Sequence, residues 1–129
     1  MLLDGLGFLL KHPASDFMIS AYQTAGSLPL LWIVICVVAP IAEELLFRGF
    51  FYKGLSRSRL GVAGAIIVTS LCWAIIHLQY DTFIIASIFV YGLALGTARA
   101  KTRSVIPAIL MHVATNLVAM IHTAIIVHG

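Results

Sequence analysis

Ala39-Pro40-Ile41-Ala42-Glu43-Glu44-Leu45-Leu46-Phe47-Arg48-Gly49 sets three charges inside an apolar run that begins at Leu28. Insertion scales put the cost of a charge in a membrane-length segment at roughly 2.5–3.5 kcal/mol, so charges kept there read as functional by default. On a helix, Glu44 and Arg48 stand four apart with the acid N-terminal, the order in which such side chains meet best. They can neutralise each other, and a pair that only fixes packing is the plainer reading. Glu43 lies about 100° round the same helix, since one turn takes ~3.6 residues, and must find its partner on another helix. Pro40 has no N–H for the carbonyl of Cys36 and should kink the helix one turn before the acids, opening room beside them.

Of the 129 residues, 61% are hydrophobic and 10% charged. Ordinary soluble domains carry about 25% charged residues, so the chain reads as a membrane protein, one compact bundle at this length. The net charge of +3 does not imply nucleic acid. Most of the basic residues fall in two short stretches, Lys53, Arg57 and Arg59, then Arg99, Lys101 and Arg103, without interleaved aromatic platforms. Both stretches are expected to face the cytoplasm by the positive-inside rule. Cys36 and Cys72 lie in apolar segments without a CxxC pair and read as small buried hydrophobes.

The expected fold is an all-α integral membrane helical bundle of about four transmembrane helices, preceded by a short interfacial N-terminal segment. Residues 1–27 hold two apolar patches separated by Lys11-His12-Pro13, each too short for ~30 Å of hydrocarbon, and lack the build of a secretory signal. The bundle domain is residues 28–129, with helices expected at about 28–52, 62–78, 82–98 and 104–127. Gly92 and Gly96 form a GxxxG that permits close helix approach. Ser104 is a candidate N-cap, with Pro107 tolerated in the following first turn.

Three further polar residues fall within spans: His77, His112 and Asn116. His112 and Asn116 are four apart and share a face. Counted from the basic stretches at ~1.5 Å per residue, Glu43 lies about 15 Å deep, His112 about 11 Å and Asn116 about 17 Å. Those three can share a plane. His77 comes out near 22 Å by the same count, which calls for a tilted or shallowly set second helix. His12, His122 and His128 receive no role.

These residues resemble a known family. Glu43-Glu44-Leu45-Leu46-Phe47-Arg48 matches the EExxxR motif of the CAAX prenyl protease and bacteriocin-processing (CPBP, or Abi) intramembrane proteases. Trp73-Ala74-Ile75-Ile76-His77 is similar to its FxxxH motif, with Trp for Phe, and His112-Val113-Ala114-Thr115-Asn116 matches its HxxxN motif. The resemblance implies that Glu43, with His77, activates a water, that His112 and Asn116 offer donors to the developing oxyanion, and that Glu44 and Arg48 are a supporting pair. Peptide hydrolysis needs both a placed base and such donors. This chemistry further requires a hydrated cavity and close approach of Glu43 to His77. It uses no cofactor, and its partners are membrane lipid and a membrane-associated peptide or protein substrate, such as a lipidated one.

Three other functions use the same residues. Glu43, His77 and His112 make a two-histidine, one-glutamate zinc set, although no HExxH occurs. A non-catalytic immunity or partner-binding protein would use the polar cluster for packing. A transporter fragment would use it as a proton relay.

Overall fold

The computed structural model describes residues 15–129, and the regular structure among them is helical throughout. Helix α1 (Asp16–Thr24) is capped by Ser15, whose Oγ accepts the Met18 N–H at 3.2 Å. Helix α2 (Leu28–Ser56) starts at Ser27, which accepts from the Leu30 N–H in the same way. Helix α3 (Gly61–Ile75) follows a short turn and is entered through Gly61 at φ 65°, a conformation glycine adopts without strain. Asp81 caps helix α4 (Thr82–Thr102) by accepting the Ile84 N–H at 2.9 Å. Helix α5 (Ile106–His128) carries Pro107 in its first turn, and Ser104 Oγ accepts the Ile106 N–H just ahead of it.

With 29, 21 and 23 residues, α2, α4 and α5 are long and apolar enough to cross a bilayer, for which ~20 residues at ~1.5 Å each suffice. Helix α3 has only 15 residues. The four expected spans are therefore three full-length helices and a shorter one. Large side chains such as Phe50, Val90 and Leu110 cover the outside, as a lipid-facing surface requires.

Helix ends depart from expectation in both directions. Helix α3 stops at Ile75, not near residue 78, so His77 stands in a turn, its N–H bonded to the Ala74 carbonyl. Helices α2 and α4 run past the apolar stretch, to Ser56 and Thr102, and take Lys53, Arg99 and Lys101 into their last turns. Positive side chains there suit the helix dipole, so the hydrogen-bonded helix outlasts the hydrophobic one. Arg103, in the left-handed region at φ 55°, ends α4.

Helix α2 is not uniformly α-helical. Two wide-turn π segments, Val34–Val38 and Leu45–Phe51, flank the α-helical piece Ala39–Glu44. Such segments are rare and recur at functional sites. The break expected at Pro40 thus takes the form of a π turn just before it, closed by the Ala39 N–H on the Val34 carbonyl.

Two apolar clusters hold the bundle. Met18 and Tyr22 of α1 join Cys36 of α2 and Met120 of α5, while Phe47, Trp73, Leu95 and Ala108 draw α2 to α5 together. Residues 16–24 of the expected interfacial segment thus pack into the bundle, with Tyr22 edge-on to Trp32 and His128. Residues 1–14 lie outside the described residues. Cys36 is buried as expected, but Cys72 is exposed.

The GxxxG of α4 meets α3. A Cβ on Gly92 would stand 2.9 Å from both Ser70 Cβ and Arg48 Nη2, and one on Gly96 would stand 2.9 Å from Ile66 Cγ2. Gly92→Ala should therefore destabilise the fold by about 1–3 kcal/mol through overpacking. Gly54→Ala, with nothing within 4 Å of the new Cβ, should be neutral or stabilising. Thermal unfolding in detergent compares them, and equal melting temperatures for the two variants would contradict the packing described.

Candidate active site

The acidic pair ends the α-helical piece Ala39–Glu44, and Arg48 follows in the second wide turn. Glu44 Oε1 accepts from Arg48 Nη1 at 3.1 Å and from His112 Nδ1 at 2.8 Å, so one carboxylate joins α2 to α5. Arg48 Nη2 donates to the Gly92 carbonyl at 3.1 Å, bringing in α4. Its guanidinium carbon lies 4.6 Å from the centroid of the Trp73 ring on α3, within cation–π range. Glu44 and Arg48 are fully buried and their opposite charges meet each other inside the protein, while Glu44 Oε2 and Arg48 Nε are buried without a hydrogen-bond partner among the described residues. The expected pairing forms, and it reaches three other helices.

Glu43 points to a different neighbour. Its Oε2 accepts the Trp73 indole N–H at 2.7 Å, and His112 Nε2 stands 3.7 Å away. The partner it needed on another helix is thus an aromatic donor. Its side chain is 25% exposed, whereas that of His112 is 4% exposed. Glu43 is the member of the acidic cluster open to the outside.

His77 meets the cluster through Trp73. Its Nδ1 lies 2.7 Å from the Trp73 carbonyl, which can only accept, so Nδ1 carries a proton, and in the neutral ring Nε2 is then the acceptor. Its ring is edge-on to Trp73 and stacks on Tyr80, with centroids 6.0 Å apart and an interplanar angle of 21°. Burial, with the charge of Glu43 adding, pushes the Tyr80 phenol above its ordinary range and keeps it protonated at neutral pH. Among the described residues, the hydrogen bonds found for Glu43 and His77 both run to Trp73 and not to each other.

Asn116 serves the backbone. In the first wide turn the N–H due at the Ile35 carbonyl would belong to Pro40, which has none. Asn116 Nδ2 donates to that carbonyl at 2.9 Å. One amide hydrogen is thereby used, and the second remains available. Glu43, Glu44, Arg48 and His112 therefore form one contact network, with His77 attached through Trp73, whereas the contact found for Asn116 is to the Ile35 carbonyl and not to the cluster.

Sequence reasoning gave Trp73 only an aromatic role. Its indole N–H binds Glu43, and its ring touches Arg48, His77 and His112. The available signal was that tryptophan, unlike phenylalanine, brings a donor that needs an acceptor when buried. The cavity expected beside Glu43 does not coincide with either of two cavities beside α2. One of about 100 Å³ between Phe47, Phe51 and Thr69, and one of about 490 Å³ beside Phe50, Lys53 and Arg57, are not lined by Glu43. Among the described residues, no three His, Cys, Asp or Glu side chains gather to hold a metal ion, so the zinc set of Glu43, His77 and His112 is not assembled.

Removing one partner from the buried pair leaves a charge without compensation. Glu44→Gln should cost about 3–5 kcal/mol. Adding Arg48→Met should recover part of that loss, since the two residues are coupled. Unfolding of the single and double variants measures the coupling, and additive losses would contradict a shared network.

An uncharacterised 24.3 kDa protein of Escherichia coli is 32% identical over 122 residues, covering 87% of this chain and 54% of the relative. The chain thus spans about half the length of the curated relative it matches. No solved structure matches. A family match covers residues 25–118, which carry Glu43, Glu44, Arg48, His77, His112 and Asn116, and the chain belongs to the family of Rce1-like type II CAAX prenyl endopeptidases.

Proposed function

We propose that this chain is a membrane-embedded endopeptidase that cleaves a membrane-associated peptide or protein with a water activated by Glu43. The single observation that carries this reading is the division of labour between adjacent acids. Glu44 is buried and committed to Arg48 and His112, while Glu43 is partly exposed. Of the two acids, the partly exposed Glu43 is the one that a water and a substrate could reach.

In this mechanism Glu43 takes a proton from water as the oxygen attacks the scissile carbonyl, with His77 Nε2 as the second acceptor that orients the water. Negative charge then grows on the former carbonyl oxygen. His112, held through Nδ1 by Glu44, presents Nε2–H to that charge when it carries both ring protons. The free amide hydrogen of Asn116 is the second donor. Glu43 afterwards passes its proton to the leaving amine, so the base of the first step is the acid of the last. Arg48 touches no reacting atom in this scheme and holds Glu44 in place.

A second reading is supported by the Trp73 contact. At 2.7 Å the indole N–H occupies one oxygen of the carboxylate that would act as base, where the resembling motif has phenylalanine. A protein that keeps the cluster for packing and binds a partner through its outer surface would tolerate that occupation.

Glu43→Gln separates the two readings without knowledge of the substrate. Peptide termini in membranes of cells making the full chain are compared with those from cells making the variant. Hydrolysis predicts termini that vanish with Glu43→Gln and fall by about 10²–10³ with His112→Ala, the usual loss on removing one oxyanion donor. Identical termini at equal expression would overturn the peptidase reading and leave partner binding.

A further inference from the structure

The two wide turns of α2 share a defect, and each is repaired from another helix. Where the N–H of residue i reaches back to i−5, the carbonyl at i−4 is passed over, and a buried carbonyl without a donor is costly. In the first turn that carbonyl belongs to Ile35 and accepts from Asn116. In the second, the Tyr52 N–H goes to the carbonyls of Phe47 and Gly49 and passes over Arg48. Arg99 Nε donates to the Arg48 carbonyl at 2.9 Å. Its guanidinium carbon rests 4.9 Å from the centroid of the buried Tyr52 ring.

We propose that Arg99 is a positioning residue: its Nε–H fills the Arg48 carbonyl, holds the Leu45–Phe51 segment in its wide-turn register and so fixes Arg48 against Glu44 and Trp73. The functional consequence rests on the peptidase reading above, whereas the structural one does not. Losing the extra residue of a wide turn rotates the chain on one side of it by about 100° relative to the other. Arg48 would then leave Gly92, Glu44 and the face of Trp73, whose N–H holds Glu43. The Asn116 contact secures the upstream end of the acidic piece and the Arg99 contact the downstream end.

The competing explanation is that Arg99 belongs to a basic stretch that sets membrane orientation by charge alone. Side-chain chemistry separates the two. Glutamine places an amide N–H at the chain position of the arginine Nε but has no charge. Methionine has similar length, no charge and no donor. A charge role predicts that Arg99→Gln and Arg99→Met behave alike. A donor role predicts that glutamine rescues and methionine does not.

The full chain in detergent micelles, with Trp32→Phe leaving Trp73 as the only tryptophan, gives one indole N–H resonance. Arg99→Met should move it in the direction that Glu43→Gln does and should raise hydrogen exchange at residues 49–53. Arg99→Gln should leave both near wild type. Tyr52→Leu, which removes the seat of the guanidinium but not the donor, should give a smaller shift of the same sign and covers the case in which Arg99→Met fails to fold. Equal effects of methionine and glutamine, or no shift with methionine and Tyr52→Leu, would overturn the proposal. Glu43-dependent cleavage should fall by about 10- to 100-fold with Arg99→Met, as expected of a displaced active group, and survive Arg99→Gln. The expected resonance pattern without cleavage by any form would sink the peptidase reading and support the positioning role.

Discussion

Glu44 Oε1 carries the structure's main polar constraint, because the Arg48 guanidinium and the His112 imidazole both bond to it. None of the three could be left alone in an apolar interior. An uncompensated buried charge costs several kcal/mol, whereas a satisfied pair adds little over a hydrophobic replacement. What the cluster supplies is therefore a unique arrangement: Glu44 sets the rotation of α2 against α5, and Arg48 sets it against α4 through the Gly92 carbonyl. The missing side chain at Gly92 follows, since a Cβ there would press on the guanidinium. So does Trp73, whose ring lies beneath that cation.

Two neighbouring acids on one helix thereby acquire different fates. A step of one residue turns the side chain by about 100°, which takes Glu44 into the sealed centre and leaves Glu43 at its margin beside Trp73 and His112. Adjacent groups with divided environments are a recurring basis for separate acid, base and supporting roles. The fold therefore offers a rigid support and an accessible carboxylate within one turn.

Much of this was legible in the sequence. Hydropathy located the spans, the i,i+4 rule paired Glu44 with Arg48, and depth counting brought His112 to the acids. The wide turns of α2 were not legible, because periodicity arguments assume a constant turn and these segments depend on donors far along the chain, Asn116 and Arg99. Pro40 flagged only the first. Charge counting treated Arg99 as one of a basic trio and could not tell which member turns inward. Helix ends were misjudged where the end of hydrophobicity was equated with the end of hydrogen bonding, as at Ala98, beyond which α4 continues to Thr102. His77 shows the reverse error, since apolar residues around it concealed a turn.

The claim on which the account stands is direct contact between His112 and Glu44 within the bundle. Solid-state NMR in lipid bilayers can measure dipolar coupling between the His112 ring nitrogens and the Glu44 carboxyl carbon, with Glu43→Gln leaving a single glutamate to label. The account predicts a strong coupling at Nδ1, as a 2.8 Å hydrogen bond requires. Its absence in folded protein would contradict the network and the division of roles built on it.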